Sequence, residues 1–187
     1  MGKKKQYNIK YDYVIIDHGA MILDKDNNII FESIMPNEIL DDLKNDLYIE
    51  KAERHFCCSL LESRVDFEHK NLTKVHVKYS DLEYSNEVQK KLEEKYGNIL
   101  NIYYVSGNSI EIVSKKTNKS KAIKLLSEKL KIGQDEIFTI GDGYSDIEMI
   151  KDYKGYAMKE SVEELKKVAI GKIESVSELI EEIEEGK

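Results

Sequence analysis

"IFTIGDGYSDIEMI", residues 137–150, decides how this chain is read. Its first four residues are apolar and β-prone, and predict a short buried strand. Gly141 and Gly143 then flank Asp142, and Asp146 follows four positions on. Ligands of open α/β sheets sit beyond the carboxyl ends of strands, where Asp142 falls. The two glycines let the backbone turn sharply and approach a ligand closely. Ser145 and Glu148 have the S-x-x-E spacing of a capping box, which puts Asp146 in the first turn of a helix. Asp142 and Asp146 can then face one point. Two close carboxylates repel, and a hard cation relieves the repulsion. Magnesium, with oxygen ligands and retained waters, is the natural occupant. On spacing alone a second reading stands beside this one: Asp146 complements the helix dipole and Asp142 is a turn residue.

Helix and strand patterns alternate on both sides of this stretch. Residues 118–133, "NKSKAIKLLSEKLKIG", place Ala122, Ile123, Leu126 and Leu130 on one helical face, with Gly133 as a stop. "GYAMK" and "AIGKIE" read as strands, and "SVEELKKVA" and "VSELIEEIEE" as helices. This alternation from about residue 115 onward predicts a parallel α/β layer. Upstream the pattern differs. Residues 20–34 read as a hairpin about Asp26-Asn27-Asn28, and residues 99–114 as a second hairpin about Gly107-Asn108. Residues 36–47 and 85–97 read as helices, with Gly97 ending the latter, and 72–79 alternates as a strand. Residues 48–71 are mixed. Residues 11–17, "YDYVIID", form a lone apolar strand ahead of this α+β stretch, and pairing with the later α/β part is the expectation.

Composition sets the outer bounds. The 187 residues carry a net charge of −7, which argues against nucleic acid or an anionic membrane as partner. No apolar run approaches the roughly 20 residues of a membrane helix, and no secretory signal is legible. The two cysteines, Cys57 and Cys58, are adjacent and give neither a disulfide framework nor a zinc pattern. A reducing, cytoplasmic location is therefore expected.

Residues 119–161, "KSKAIKLLSEKLKIGQDEIFTIGDGYSDIEMIKDYKGYAMKES", resemble the C-terminal signature of haloacid dehalogenase-like hydrolases. The branch most resembled is the Cof-type sugar phosphatases with a large α/β cap. "YDYVIIDHGAMILDKDNNII", residues 11–30, resembles that family's strand and hairpin at the cap entrance. The resemblance implies an α/β fold: a partial Rossmann-like core, with its parallel sheet and helices, plus an inserted α+β cap. It divides the chain into a discontinuous core, 1–20 and 111–187, and a cap, 21–110. It implies that Asp142 binds magnesium with Asp146 beside it. Lys119 matches the family lysine that holds the phosphate. Phosphoryl transfer is mostly positioning and charge stabilisation, so a lysine and a magnesium ion form a sensible clamp.

The chain departs from that pattern at several places. Ser145 stands where the family usually has Asn, and His18 where it often has Asn, the latter reading better as a hinge histidine near the surface than as a catalytic group. No Asn-x-x-Asp-Gly run follows the last core strand. Most important, no Asp-x-Asp-Gly-Thr nucleophile motif is present. The only Asp-x-Asp is Asp24 with Asp26, and Asn27-Asn28 after it suits a tight turn better than a nucleophile. Asp17 has Gly19 at plus two and cannot supply the pair. The expectation is thus a magnesium-dependent phosphatase module for a small phosphorylated substrate, incomplete as an isolated chain. Self-association or a partner chain would complete its core. The alternative is a non-catalytic phosphate- or metal-binding remnant, or half of a two-chain assembly.

Overall fold

A computed structural model describes residues 11–60, 62–105 and 107–185. The chain divides into two compact units, Met1–Asn118 and Lys119–Lys187.

The first unit begins with a three-stranded antiparallel sheet, β1 (Tyr13–Ile16), β2 (Met21–Asp24) and β3 (Ile29–Glu32), in that order. Among the described residues β1 pairs with β2, in the register Val14 to Leu23, where pairing with the later α/β part was the expectation. The β2–β3 turn is fixed by Asp24. Its carboxylate accepts the amides of Asp26 and Asn28 at 2.9 and 2.8 Å and the Asn28 side chain at 2.8 Å, while Asn27 takes a positive φ of 66°. This is a turn held by its own aspartate, as the Asp-Asn-Asn chemistry implied.

A five-stranded antiparallel sheet follows, in the order β5-β4-β6-β8-β7. Its strands are β4 (Arg54–Ser59), β5 (Glu62–Val65), β6 (Leu72–Lys78), β7 (Leu100–Val105) and β8 (Ser109–Ser114). The mixed stretch 48–71 thus contributes β4 and β5, whose alternation a register shift between Cys57 and Ser59 interrupts. β7 and β8 meet about Gly107 and Asn108, both at positive φ (74° and 59°), inside the loop closed by the Val105–Ser109 pair. Helices α1 (Leu40–Asp46) and α2 (Leu82–Tyr96) supply the unit's core with Leu40, Leu43, Val88, Leu92 and Tyr96, against Cys57, Val75, Val77, Ile110 and Ile112 of the sheet. Val88, Leu92 and Tyr96 recur every four residues, as one helical face requires. Burying an aliphatic side chain of this kind stabilises by about 1.5–3 kcal/mol. α2 starts three residues before the Ser85 expected to open it. Asp81 caps it instead, accepting the Tyr84 amide at 2.7 Å.

The second unit is the α/β layer. Strands β9 (Phe138–Gly141), β10 (Lys154–Met158) and β11 (Gly171–Ile173) run parallel in the order β11-β10-β9. Helices α3 (Lys119–Leu130), α4 (Ile147–Asp152), α5 (Glu163–Lys166) and α6 (Val176–Glu184) complete it. The core gathers Met149, Ile150, Ala157 and Leu165, with Ile123 and Ile147 packed against them. α3 ends at Leu130, three residues before Gly133: Lys131 takes the left-handed conformation (φ 59°), and the Ile132 amide reaches back to the Ser127 carbonyl at 2.9 Å. Antiparallel sheets in one unit and a parallel α/β layer in the other make the fold mixed α/β, as read from the alternation of patterns. Among the described residues no helix is long and apolar enough to cross a membrane.

Candidate functional site

The loop after β9 is shaped by one side chain. Asp146 ends a single 3-10 turn, Tyr144–Asp146, that leads into α4. Its Oδ2 accepts the backbone amides of Asp142 and Gly143 at 3.1 and 3.0 Å. Its Oδ1 accepts the ammonium of Lys119, the first residue of α3. The cap of this helix start is therefore Asp146 reaching back to Gly143, and not the Ser145/Glu148 pair that the S-x-x-E spacing suggested. Gly141 is required by the same contact: a Cβ there would lie 2.5 Å from the Asp146 Cβ. The sharp approach permitted by glycine is thus used for the loop's own aspartate.

Asp146 is 3% exposed. Burial pushes its carboxyl up, but the Lys119 ammonium and the two loop amides outweigh this and hold it below the usual range. The carboxylate is accordingly a fixed negative charge under the loop. Asp142 is different. Its backbone carbonyl accepts the Val162 amide at 3.0 Å, which ties the loop to the start of α5, while the residue itself is exposed at the carboxyl end of β9.

The three residues singled out from sequence, Lys119, Asp142 and Asp146, thus meet at one loop of the second unit, with unequal parts. A magnesium ion is commonly held by one or two carboxylates plus waters and ligand oxygens. Asp142, an exposed hard-oxygen donor, fits that role. Asp146 already accepts three hydrogen bonds and braces the loop and Lys119, with a lone pair on Oδ1 left for a ligand. Among the described residues no group of three or more His, Cys, Asp or Glu forms a ready metal cluster.

Sequence reasoning missed a second charged cluster, in the first unit. His18 is 10% exposed at its side chain and meets Glu111 of β8. Glu111 also faces His76 and Lys74 of β6. The alternation of "LTKVHVKY" put Lys74 and His76 on one face. Only the β6–β8 register, His76 opposite Glu111, brings the carboxylate there.

A family model described as haloacid dehalogenase-like hydrolase matches residues 55–178. A Buchnera aphidicola (subsp. Schizaphis graminum) protein named "Putative phosphatase" is 29% identical over 167 residues, which are 76% of this chain and 61% of that protein. The chain spans 61–66% of the length of the first curated relatives it matches. Among solved structures, a "putative HAD/COF-like hydrolase from Plasmodium vivax" superposes with a TM-score of 0.83 at 16% identity, covering 98% of this chain and 76% of that one. The subclass IIB sugar phosphatase BT4131 superposes with a TM-score of 0.79 at 17% identity, covering 97% and 79%. At such identities these two show a shared fold.

Proposed function

The chain belongs to the haloacid dehalogenase-like hydrolases, and from that membership we propose that it is a phosphatase module for a small phosphate ester, of the sugar phosphate class. The observation that carries the reading is the Lys119–Asp146 pair beneath an exposed Asp142 at the carboxyl end of a parallel strand. An ammonium has three donors, so Lys119 can keep Asp146 and still donate to a phosphoryl oxygen. Asp142 would hold magnesium, which when bound neutralises charge on the transferring phosphoryl group. Asp146 would fix both, by holding the loop amides and orienting the lysine. Residues 21–110 are proposed as the cap that selects the substrate, and 1–20 with 111–187 as the core. The names of the Buchnera relative and of the sugar phosphatase support this reading.

Within the reading, the nucleophile comes from outside these 187 residues. Their only Asp-x-Asp is spent on the β2–β3 turn, where three hydrogen bonds hold Asp24. A partner chain is the proposed source. The same observation favours a second reading, a module that binds phosphate and metal without turnover. The test is calorimetric titration of the chain with magnesium and with inorganic phosphate, beside hydrolysis of an aryl phosphate. Binding is expected, magnesium lost in Asp142→Ala and phosphate weakened in Lys119→Met, with no turnover by the chain alone. Turnover abolished in Asp142→Ala would mean that the nucleophile lies within the chain. Binding of neither probe would sink both readings.

A further inference from the structure

The link between β1 and β2 is a strained turn held from elsewhere. Asp17, His18 and Gly19 all have positive φ, at 50°, 53° and 95°. Glycine takes this region freely; an aspartate and a histidine enter it against steric resistance and stay only where their surroundings hold them. Each of the three residues has a holder on a distant element. The Thr73 hydroxyl donates to Asp17 Oδ2 at 2.7 Å, and the Lys74 ammonium lies 3.6 Å from Asp17 Oδ1. The Thr117 hydroxyl donates to the Gly19 carbonyl at 2.7 Å. His18 Nε2 meets Glu111 Oε2, while Glu111 Oε1 faces His76 Nδ1 at 3.0 Å and Lys74 at 3.3 Å.

The charges in this cluster do not balance with neutral imidazoles. Asp17 and Glu111 are carboxylates and Lys74 an ammonium, all with side chains only 11–16% exposed. Among the described residues, the Cys58 thiol of β4 and the Tyr103 ring of β7, which lies 5.1 Å from the His18 ring, also face them. Burial keeps Cys58 protonated, pushed up to about 12. Among these described groups the sum is one negative charge, and a single added proton removes it. An uncompensated buried charge is costly, so the closed cluster favours taking up that proton. The rings have room for it: His18 Nδ1 and His76 Nε2 are buried without a hydrogen-bond partner among the described residues. Each ring already presents its other nitrogen to Glu111, an acceptor only. Protonation therefore adds charge without breaking a bond.

We propose that Glu111, His18 and His76 form a proton-operated latch on the Asp17–Gly19 turn. Closing the turn binds one solvent proton, carried by one of the two imidazoles, and opening releases it. The latch does not depend on the phosphatase reading. Its sensor is the Ala20 amide, which donates across the turn to the Asp17 carbonyl at 3.0 Å.

The experiment is amide hydrogen exchange of the full chain from pH 5.5 to 8.5, read as protection of Ala20 relative to the free-peptide rate at each pH. Protection is expected to fall as pH rises across this interval, by up to about tenfold per unit. Glu111→Gln leaves Asp17 and Lys74 balanced, so its protection should not vary with pH. Lys74→Met leaves two negative charges, so the fall should move to higher pH. A merely structural contact would give neither contrast. Flat protection in the parent chain, an unchanged pH dependence in Glu111→Gln, or a shift to lower pH in Lys74→Met would each overturn the proposal. Should Glu111→Gln fail to fold, the parent chain and Lys74→Met decide it alone.

Discussion

Replacing Lys119 by methionine removes a charge while keeping most of the side chain's length, and isolates the pair at the centre of the candidate site. The Asp146 side chain is 4% exposed and that of Lys119 32%. Among the described residues, the substitution leaves a buried carboxylate with two backbone amides as its donors. Breaking a buried pair from one side costs about 3–5 kcal/mol, and the partial exposure of Lys119 argues for the low end, about 3 kcal/mol. Asp146→Asn should cost about 2–4 kcal/mol, since the amide group sets a donor against Lys119 and a charge-assisted bond is worth about 1.5–3 kcal/mol. Because the two residues share one interaction, the double variant should lose less than the sum of the single losses. Urea unfolding in phosphate-free buffer, followed by circular dichroism, measures all four proteins. The pH dependence has a defined sign. Asp146 has a lowered folded pKa, so its stabilisation is complete above the unfolded carboxylate range near 4 and is lost as pH falls toward the folded value. The gap between the parent chain and Asp146→Asn should therefore hold from about pH 5 to 8 and shrink below about pH 4. A Lys119→Met variant within about 0.5 kcal/mol of the parent, with additive double-variant losses, would refute the reasoning.

Gly141→Ala and Gly155→Ala should each destabilise by about 1–3 kcal/mol or more in the same urea assay, because their added methyl groups meet the Asp146 Cβ at 2.5 Å and the Ile150 carbonyl oxygen at 2.1 Å. Asp142→Asn should leave stability within about 0.5 kcal/mol while weakening magnesium binding in calorimetry, the reverse of Asp146→Asn. Cys57 and Cys58, pushed by burial up to about 12, should resist an aromatic disulfide reagent at pH 8 and react on unfolding. Rapid native labelling would mean that β4 opens readily.

Local pattern by itself determined much of this protein. Residues 137–150 specify a strand, a glycine-flanked loop and a helix start, because each follows from neighbours in sequence. The two hairpin turns were legible for the same reason: Asn27 and Asn108 must take positive φ, and each sits where such a residue is needed. The parallel layer followed from alternation of helix and strand patterns. The partner of each charge was not legible. Asp146 had the right spacing to face Asp142, yet its carboxylate turns to Lys119, 27 positions away, and to the loop's own amides. His18 and Glu111 lie 93 positions apart and meet only because β8 pairs with β6 in one register. A one-residue slip in that register would send Glu111 to the opposite face of the sheet. Periodicity assigns a side chain to a face, but the charge it meets there is set by which strands pair and in what register, and that is a property of the folded chain.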